Sequence, residues 1–254
     1  MLYAFPGSYG VFSKVSQACW WLFNIDLSHE QKLISHYFPD LRVAAGPFAG
    51  LTYEQYRSGI IMPAKLAGWY EKYLIQRIHD AISHHYDTLI NVWSAEWYYA
   101  VWFAQAQPKM KVYAFDTSEH CQLMCRELAE KNKTDNVEVS GTFHMRDLRN
   151  YKHGKTLLFV DIEWFEKSLL DPALSADLAH CDIIVECHDF LNGGIVDTLL
   201  ERFFLTHTID IIQFQDLTSP LYDAERKLYH KDFHAVMTEP RAVSNQKRLR
   251  MRAH

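Results

Sequence analysis

The chain has 254 residues, 48 % of them apolar, and a formal net charge of −5. That is enough for one large domain with a full hydrophobic core, and the acidic balance leaves no global basic footprint for nucleic acid. No run reaches the ~20 apolar residues of a membrane span.

The first residues, "MLYAFPGSYGVFSKVSQ", lack a basic segment before an apolar block and do not read as a secretory signal. Five cysteines, an odd number, fit the reduced thiols of a cytoplasmic protein. Cys121 and Cys125 have no second pair to complete a zinc site.

Residues 1–60 read as an irregular N-terminal cap or lid, with one helix in "SHEQKLISHYF" capped by Ser28. Residues 61–254 read as the main domain. Pro63 opens a long amphipathic helix, "PAKLAGWYEKYLIQRIHDAISHH", with apolar side chains at 66, 70, 74, 78 and 82. Strands and helices then alternate. "TLINV", "MKVYAFD", "NVEVS", "TLLFVDI", "CDIIVECHD" and "TIDIIQF" read as six strands. Between them come helices at "AEWYYAVWFAQAQ", at "SEHCQLMCRELAEKNK" with Ser118 as its cap, around 164–179 and at "GGIVDTLLERFF". The last forty residues predict a helix near 221–235 with room for a seventh strand. The basic end "NQKRLRMRAH" reads as a solvated tail. Short unbroken apolar strands with helices between them predict an α/β fold: a doubly wound, mainly parallel sheet.

Ligands of such sheets bind beyond the carboxyl ends of the strands. The residues there are Asn91, Asp116, Gly141, Thr142, Phe143, Asp161, Glu163, Glu186, His188, Asp189, Gln213, Gln215 and Asp216. Asp116 stands 19 residues beyond position 97, near the spacing of about 20 at which a second-strand carboxylate takes ribose hydroxyls. It equally suits the positive end of the helix after Ser118. Asp161, His188 and Asp189 close two strands expected to be neighbours. They can orient or deprotonate a substrate, Asp161 and Asp189 can hold Mg²⁺, or the three can form a hydrogen-bonded polar cluster.

The strings "LINV.SAE.YYAV.FA", "KVYAFDTSE", "LLFVDIE.FEKSLLDP" and "DIIVECHDF" together resemble the class I S-adenosylmethionine-dependent methyltransferases, nearest to the FkbM type. The resemblance spans about 62–216. It implies a Rossmann-like methyltransferase fold with a seven-stranded sheet and an N-terminal helical cap. It implies S-adenosylmethionine as cofactor and a small-molecule acceptor methylated on oxygen, or less directly nitrogen, with no nucleic acid or membrane partner. Asn91, Trp93, Ala95 and Trp97 would line the cofactor turn. Asp116 would hold the ribose, and Thr142 and Phe143 would flank the adenine.

The four dots are glycines in that family and Trp93, Trp97, Trp102 and Trp164 here, as in an altered sequence or a pseudo-enzyme. Glycine serves such a turn by accepting positive φ and by letting backbone approach the ligand. Indoles at 93 and 97 are therefore expected to block the cofactor pocket, and Trp102 to disturb helix packing. The other reading is an active enzyme with a remodelled turn. A nicotinamide-binding Rossmann domain needs the same missing glycines and matches "DIE.FE" and "ECHD" poorly.

Overall fold

A computed structural model describes residues 27–53, 62–92, 98–163, 165–237 and 246–254. The strands are β1 (Thr88–Val92), β2 (Lys111–Phe115), β3 (Val137–Ser140), β4 (Thr156–Val160), β5 (Cys181–Cys187), β6 (His207–Gln213) and β7 (Lys247–Ala253). They form one sheet in the order β3-β2-β1-β4-β5-β7-β6. β1 to β5 pair in parallel, and β7 runs antiparallel between β5 and β6. The order reverses between β1 and β4, which opens a crevice at their carboxyl ends.

β1 and β4 are buried along their whole length, which explains their continuous apolar runs. Alternate residues serve opposite cores. Leu89, Val112, Leu157 and Ile184 belong to one, and Ile90, Tyr113, Leu158, Ile183 and Leu249 to the other.

The helices are α1 (Leu27–Tyr37), α2 (Met62–Ala67), α3 (Ile75–Ser83), α4 (Tyr98–Ala106), α5 (Glu119–Lys131), α6 (Leu148–Tyr151), α7 (Glu166–Leu169), α8 (Ile195–Phe203), α9 (Asp223–Tyr229) and α10 (Phe233–Met237). α1 to α5, α9 and α10 supply the first core, and α6 to α8 the second. Ser118 caps α5 as expected, accepting from Cys121 N–H at 3.3 Å. Ser28 lies inside α1 instead of ahead of it. Among the described residues no helix is long and apolar enough to cross a membrane.

The long helix expected from Pro63 is broken. α2 ends at Ala67, a 3-10 turn covers Lys72–Leu74, and α3 follows. The apolar period survives the break, because Leu66, Leu74 and Ile78 are still buried. The cause is a close crossing of two backbones. Gly68 has φ +79°, and a Cβ there would stand 1.8 Å from the Ala45 carbonyl oxygen. Gly46 has φ +71°, and its Cβ would meet the Gly68 oxygen at 2.2 Å. Ala44 N–H donates to Leu66 O beside this crossing. The 43–53 segment is thereby fastened to the helix pair.

Trp102 sits on α4 against that same segment. Its indole N–H donates to Pro47 O at 2.5 Å, and its ring packs edge-on to Phe48 at 3.7 Å between centroids. The side chain is 2 % exposed. Trp102 is thus a buried residue of α4, closer to Phe48 than the 4.5–7 Å at which aromatic pairs ordinarily pack. Trp93, Ala95, Trp97 and Trp164 lie outside the described residues.

The basic tail is not solvated. It is β7, with arginines and apolar residues in strict alternation: Leu249 and Met251 enter the second core, while Arg248 and Arg250 are also buried. Arg250 pairs with Asp80 at 2.8 Å, and Arg252 with Asp210 at 3.8 Å. Each strand partner is fixed by the register Glu186↔Arg248↔Ile212.

Gly68→Ala is expected to destabilise the fold by more than the ~1–2 kcal/mol of a left-handed residue, because Ala45 must also move. A urea melt showing no loss would refute the crossing. The second expectation concerns pH. Burial holds the His207 imidazole below its usual range, against the Cys181 carbonyl 2.9 Å from Nε2. A histidine so lowered contributes stability above the unfolded value of about 6.5 and loses it as pH falls through the lower folded value. Between about pH 7.5 and about pH 5.5 the melting temperature of His207→Gln should therefore fall less than that of the parent. Equal falls would contradict this.

Candidate active site

The carboxyl ends of β4 and β5 converge on one polar cluster, and β7 supplies its cation. Arg248 is 2 % exposed. Its Nη2 bonds the carboxylates of Glu71 and Glu186, and its Nε lies 3.4 Å from Tyr73 Oη. Glu71 also accepts from the Tyr99 hydroxyl of α4. Burial opposes the guanidinium charge, and Glu186 and Glu71 more than offset it, so its pKa is raised. Sequence reasoning missed Arg248 and Glu71, and it placed Glu186 at the end of the fifth strand without its partner. The alternation in "KRLRMRA" was the available signal for the first.

Asp161, just past β4, bridges this cation to His188. Its Oδ2 is 3.8 Å from Arg248 Nη2, and its Oδ1 is 3.7 Å from His188 Nε2. Crowding decides its protonation. Burial first, and then the Glu186 charge, push its pKa up to about 8, partly opposed by Arg248 and His188. His188, just past β5, is 5 % exposed. Its Nδ1 meets Glu166 Oε1 of α7 at 2.5 Å. Burial works against its charge, but Glu166, Asp161 and Glu186 outweigh it and raise the pKa above the ordinary imidazole range. Glu166 is fully buried and holds the ring with Nε2 toward Asp161. It was legible in the sequence only as part of "DIE.FE".

The expected partnership of Asp161 with Asp189 is not what the structure assembles. Asp189 sits at the head of α8, where its carboxylate accepts from Ile195 N–H at 2.9 Å and Val196 N–H at 3.3 Å. Its oxygens satisfy free helix donors, a sufficient role for an acid at that position. Among the described residues the set with metal-ligand spacing is Asp161, Glu186 and His188, whose donor atoms lie within 4.8 Å of one another. Two oxygens and an imidazole suit a transition ion better than Mg²⁺. Glu186 is, however, already neutralised by Arg248, so a cation there would have to compete with the guanidinium.

On the cofactor side, Asn91 ends β1 fully buried. Its Nδ2 donates to Phe159 O at 3.4 Å, and among the described residues nothing pairs with its Oδ1. An orphaned buried acceptor calls for a donor from a ligand or water. Asp116 is buried at the end of β2, with Oδ1 accepting from Ser118 N–H at 2.7 Å. That oxygen serves the start of α5. Thr142 is exposed after β3. Phe143 is buried in the second core, its ring 5.0 Å from Phe115 and 6.2 Å from Tyr151.

No protein-family model matches the chain, and no curated protein matches it in sequence. Solved structures do resemble it. The O-methyltransferase TomG from Streptomyces achromogenes, involved in tomaymycin synthesis and solved in complex with SAM, aligns with a TM-score of 0.50 at 10 % identity, covering 79 % of this chain and 92 % of that one. An O-methyltransferase from Bacillus cereus in complex with SAH aligns at 0.47 and 12 % identity, over 72 % of this chain and 80 % of that one. An rRNA methylase from Streptococcus thermophilus aligns at 0.46 and 12 % identity, over 70 % and 95 %. The sheet order, the single antiparallel strand and the helices on both faces make this the Rossmann-like methyltransferase fold.

Arg248→Met would take from the buried Glu71 and Glu186 the guanidinium that both bond. The expected loss is about 3–5 kcal/mol in urea denaturation. Adding Glu71→Gln and Glu186→Gln to it should recover much of that loss. A single variant within about 1 kcal/mol of the parent would show that Arg248 does not carry the cluster.

Proposed function

We propose that the chain is built as an S-adenosylmethionine-dependent methyltransferase acting on a hydroxyl of a small molecule, with its acceptor half assembled and its cofactor half crowded. The observation that carries this reading is the pairing of Asp161 with His188 at the ends of β4 and β5, with the buried Asn91 near the end of β1 across the switch point of a methyltransferase fold. The cofactor, when bound, supplies the electrophilic methyl group.

The chain's own residues do the rest. Asn91 Oδ1 offers a buried acceptor to a cofactor donor, and Asp116 offers a carboxylate at the ribose position. Thr142 and Phe143 are the adenine-side candidates, although the Phe143 ring is already packed against Phe115. Glu166 fixes the His188 ring, and His188 with Asp161 receives the hydroxyl proton. The pKa values of both groups are raised, that of Asp161 to about 8, so either one takes up the proton strongly once it stands deprotonated. This reading gives Asp189 no part at the reacting centre and needs no Mg²⁺ between it and Asp161. Residues 1–60 remain a cap on the 61–254 domain, in a cytoplasmic protein without nucleic-acid or membrane partners.

Indoles at 93 and 97 stand in the sequence between β1 and α4, where the cofactor turn belongs. Overpacking a fitted site costs about 1–3 kcal/mol per change, so affinity for S-adenosylmethionine is expected to be severely weakened. One observation favours the other reading, an active enzyme with a remodelled turn: the fold has seated Trp102 without leaving its N–H unpaired.

Isothermal titration separates the two. The present chain should give no S-adenosylmethionine heat at micromolar concentrations. A variant with glycine restored at 93, 97 and 164 should bind. Trp102 is kept, because emptying so large a core site costs about 3–5 kcal/mol. Micromolar binding by the present chain would reject the crowded pocket. No binding by either protein would reject the methyltransferase reading.

A further inference from the structure

We propose that the open edge of β6 pairs with the same edge of a second copy of this chain, giving a two-fold dimer with one continuous sheet.

The sheet ends in β3 on one side and β6 on the other. An edge strand presents a row of main-chain donors and acceptors. Proteins ordinarily blunt that row with a short strand, a lysine, a proline, a bulge or a cover. β3 is blunted. It has four residues, and Arg126 of α5 donates to the Val139 carbonyl at 3.1 Å, while the neighbouring Ser140 carbonyl faces β2 through Asp116 N–H. β6 is not. It has seven residues, HTIDIIQ, without lysine or proline, and its register with β7 runs without a bulge from His207 to Gln213.

The ladder fixes which groups face outward. Phe214 N–H donates to Gln246 O at 3.4 Å and His254 N–H to Thr206 O at 3.1 Å, so the even-numbered positions of this strand bond β7. The N–H and C=O of Ile209, Ile211 and Gln213 therefore point away from the sheet, and among the described residues nothing meets them. Ile211, in the middle of this row, is 47 % exposed.

A second copy is the occupant that the strand itself suits. The outward residues 209, 211 and 213 are symmetric about Ile211, so an antiparallel pair centred there uses all three in each copy. Ile211 then meets Ile211 of the second copy, and Asp210 faces Ile212. Centring the pair one residue earlier would set Asp210 against Asp210, which like charge disfavours. The Ile211 axis also brings the turn that leads into β6, where Phe204 is 62 % and Leu205 74 % exposed, beside the Gln213 end of the other strand. With β3 guarded, each copy offers one such edge, and a two-fold contact between them closes as a dimer instead of growing into a fibre.

Sedimentation velocity of the full-length chain at micromolar concentration should give twice the chain mass of 29.8 kDa. Ile211→Pro removes an outward N–H and no bond to β7, at a place where edge strands admit proline, and it should halve the mass. Ile211→Lys and Ile211→Glu should each be monomeric alone. Mixed in equal amounts they should recover the dimer, because the two side chains face each other across the axis. Leu228→Lys, at an exposed position of α9, should leave the dimer unchanged. Should the proline variant not fold, the Lys and Glu pair decides alone. A monomeric parent, its edge then left to a strand of another protein, would overturn the proposal. So would a dimer that survives Ile211→Pro, a Lys and Glu mixture that stays monomeric, equal dissociation by Leu228→Lys, or open-ended assemblies in place of a dimer.

Discussion

A single buried guanidinium organises this molecule. Arg248 enters from the last strand, which inserts antiparallel between β5 and β6, and it ends between Glu71 and Glu186. Glu71 precedes α3 and accepts from Tyr99 of α4, so one side chain joins the last strand to β5, to the segment ahead of β1 and to the first helix of the sheet. The geometry is costly to build, because charges withdrawn from water recover their hydration only through well-placed partners. Here the partners come from parts of the chain more than sixty residues apart in either pairing. The cluster therefore exists only when the whole sheet is assembled, and with it the position of Asp161.

The same cluster shows why the strand ends were easier to read than their partnerships. Runs such as "TLINV" and "TLLFV" are apolar throughout because both faces of those strands are covered, and that pattern is local. Asp161 and His188 follow directly from their place after β4 and β5. The role of Asp189 does not, because a carboxylate one residue past His188 reaches the N-terminal donors of α8 only through the turn at Gly194. The partners of Glu166 and Glu186 were equally out of reach. Nothing near them in the chain says that an imidazole or a guanidinium will arrive from another element.

Two further departures have the same origin. The period of "PAKLAGWYEKYLIQRIHDAISHH" is helical, and its apolar positions do face the core, but the crossing of Gly46 with Gly68 splits the helix. The signal was a glycine in mid-pattern, whose partner glycine lies 22 positions earlier in a segment without periodicity. The tail "NQKRLRMRAH" was weighed by its charge and not by its alternation. Period two with arginine on one face is a strand pattern whenever acids wait opposite, and Glu186, Asp80 and Asp210 do.

Trp102 bears on how the other tryptophans act. A large side chain fits the body of a helix only where the facing element makes room, and at Trp102 that element is an irregular segment of Pro47 and Phe48 that wraps the indole and takes its N–H. Large side chains are tolerated when volume is conserved across the contact and every polar atom finds a partner. A glycine in a ligand-binding turn is different in kind. Its value lies in space left for another molecule and in φ values that other residues adopt at a penalty. No protein segment can withdraw on the ligand's behalf. Where the resemblance puts glycine, Trp102 faces packed protein, whereas positions 93 and 97 fall in the sequence between β1 and α4.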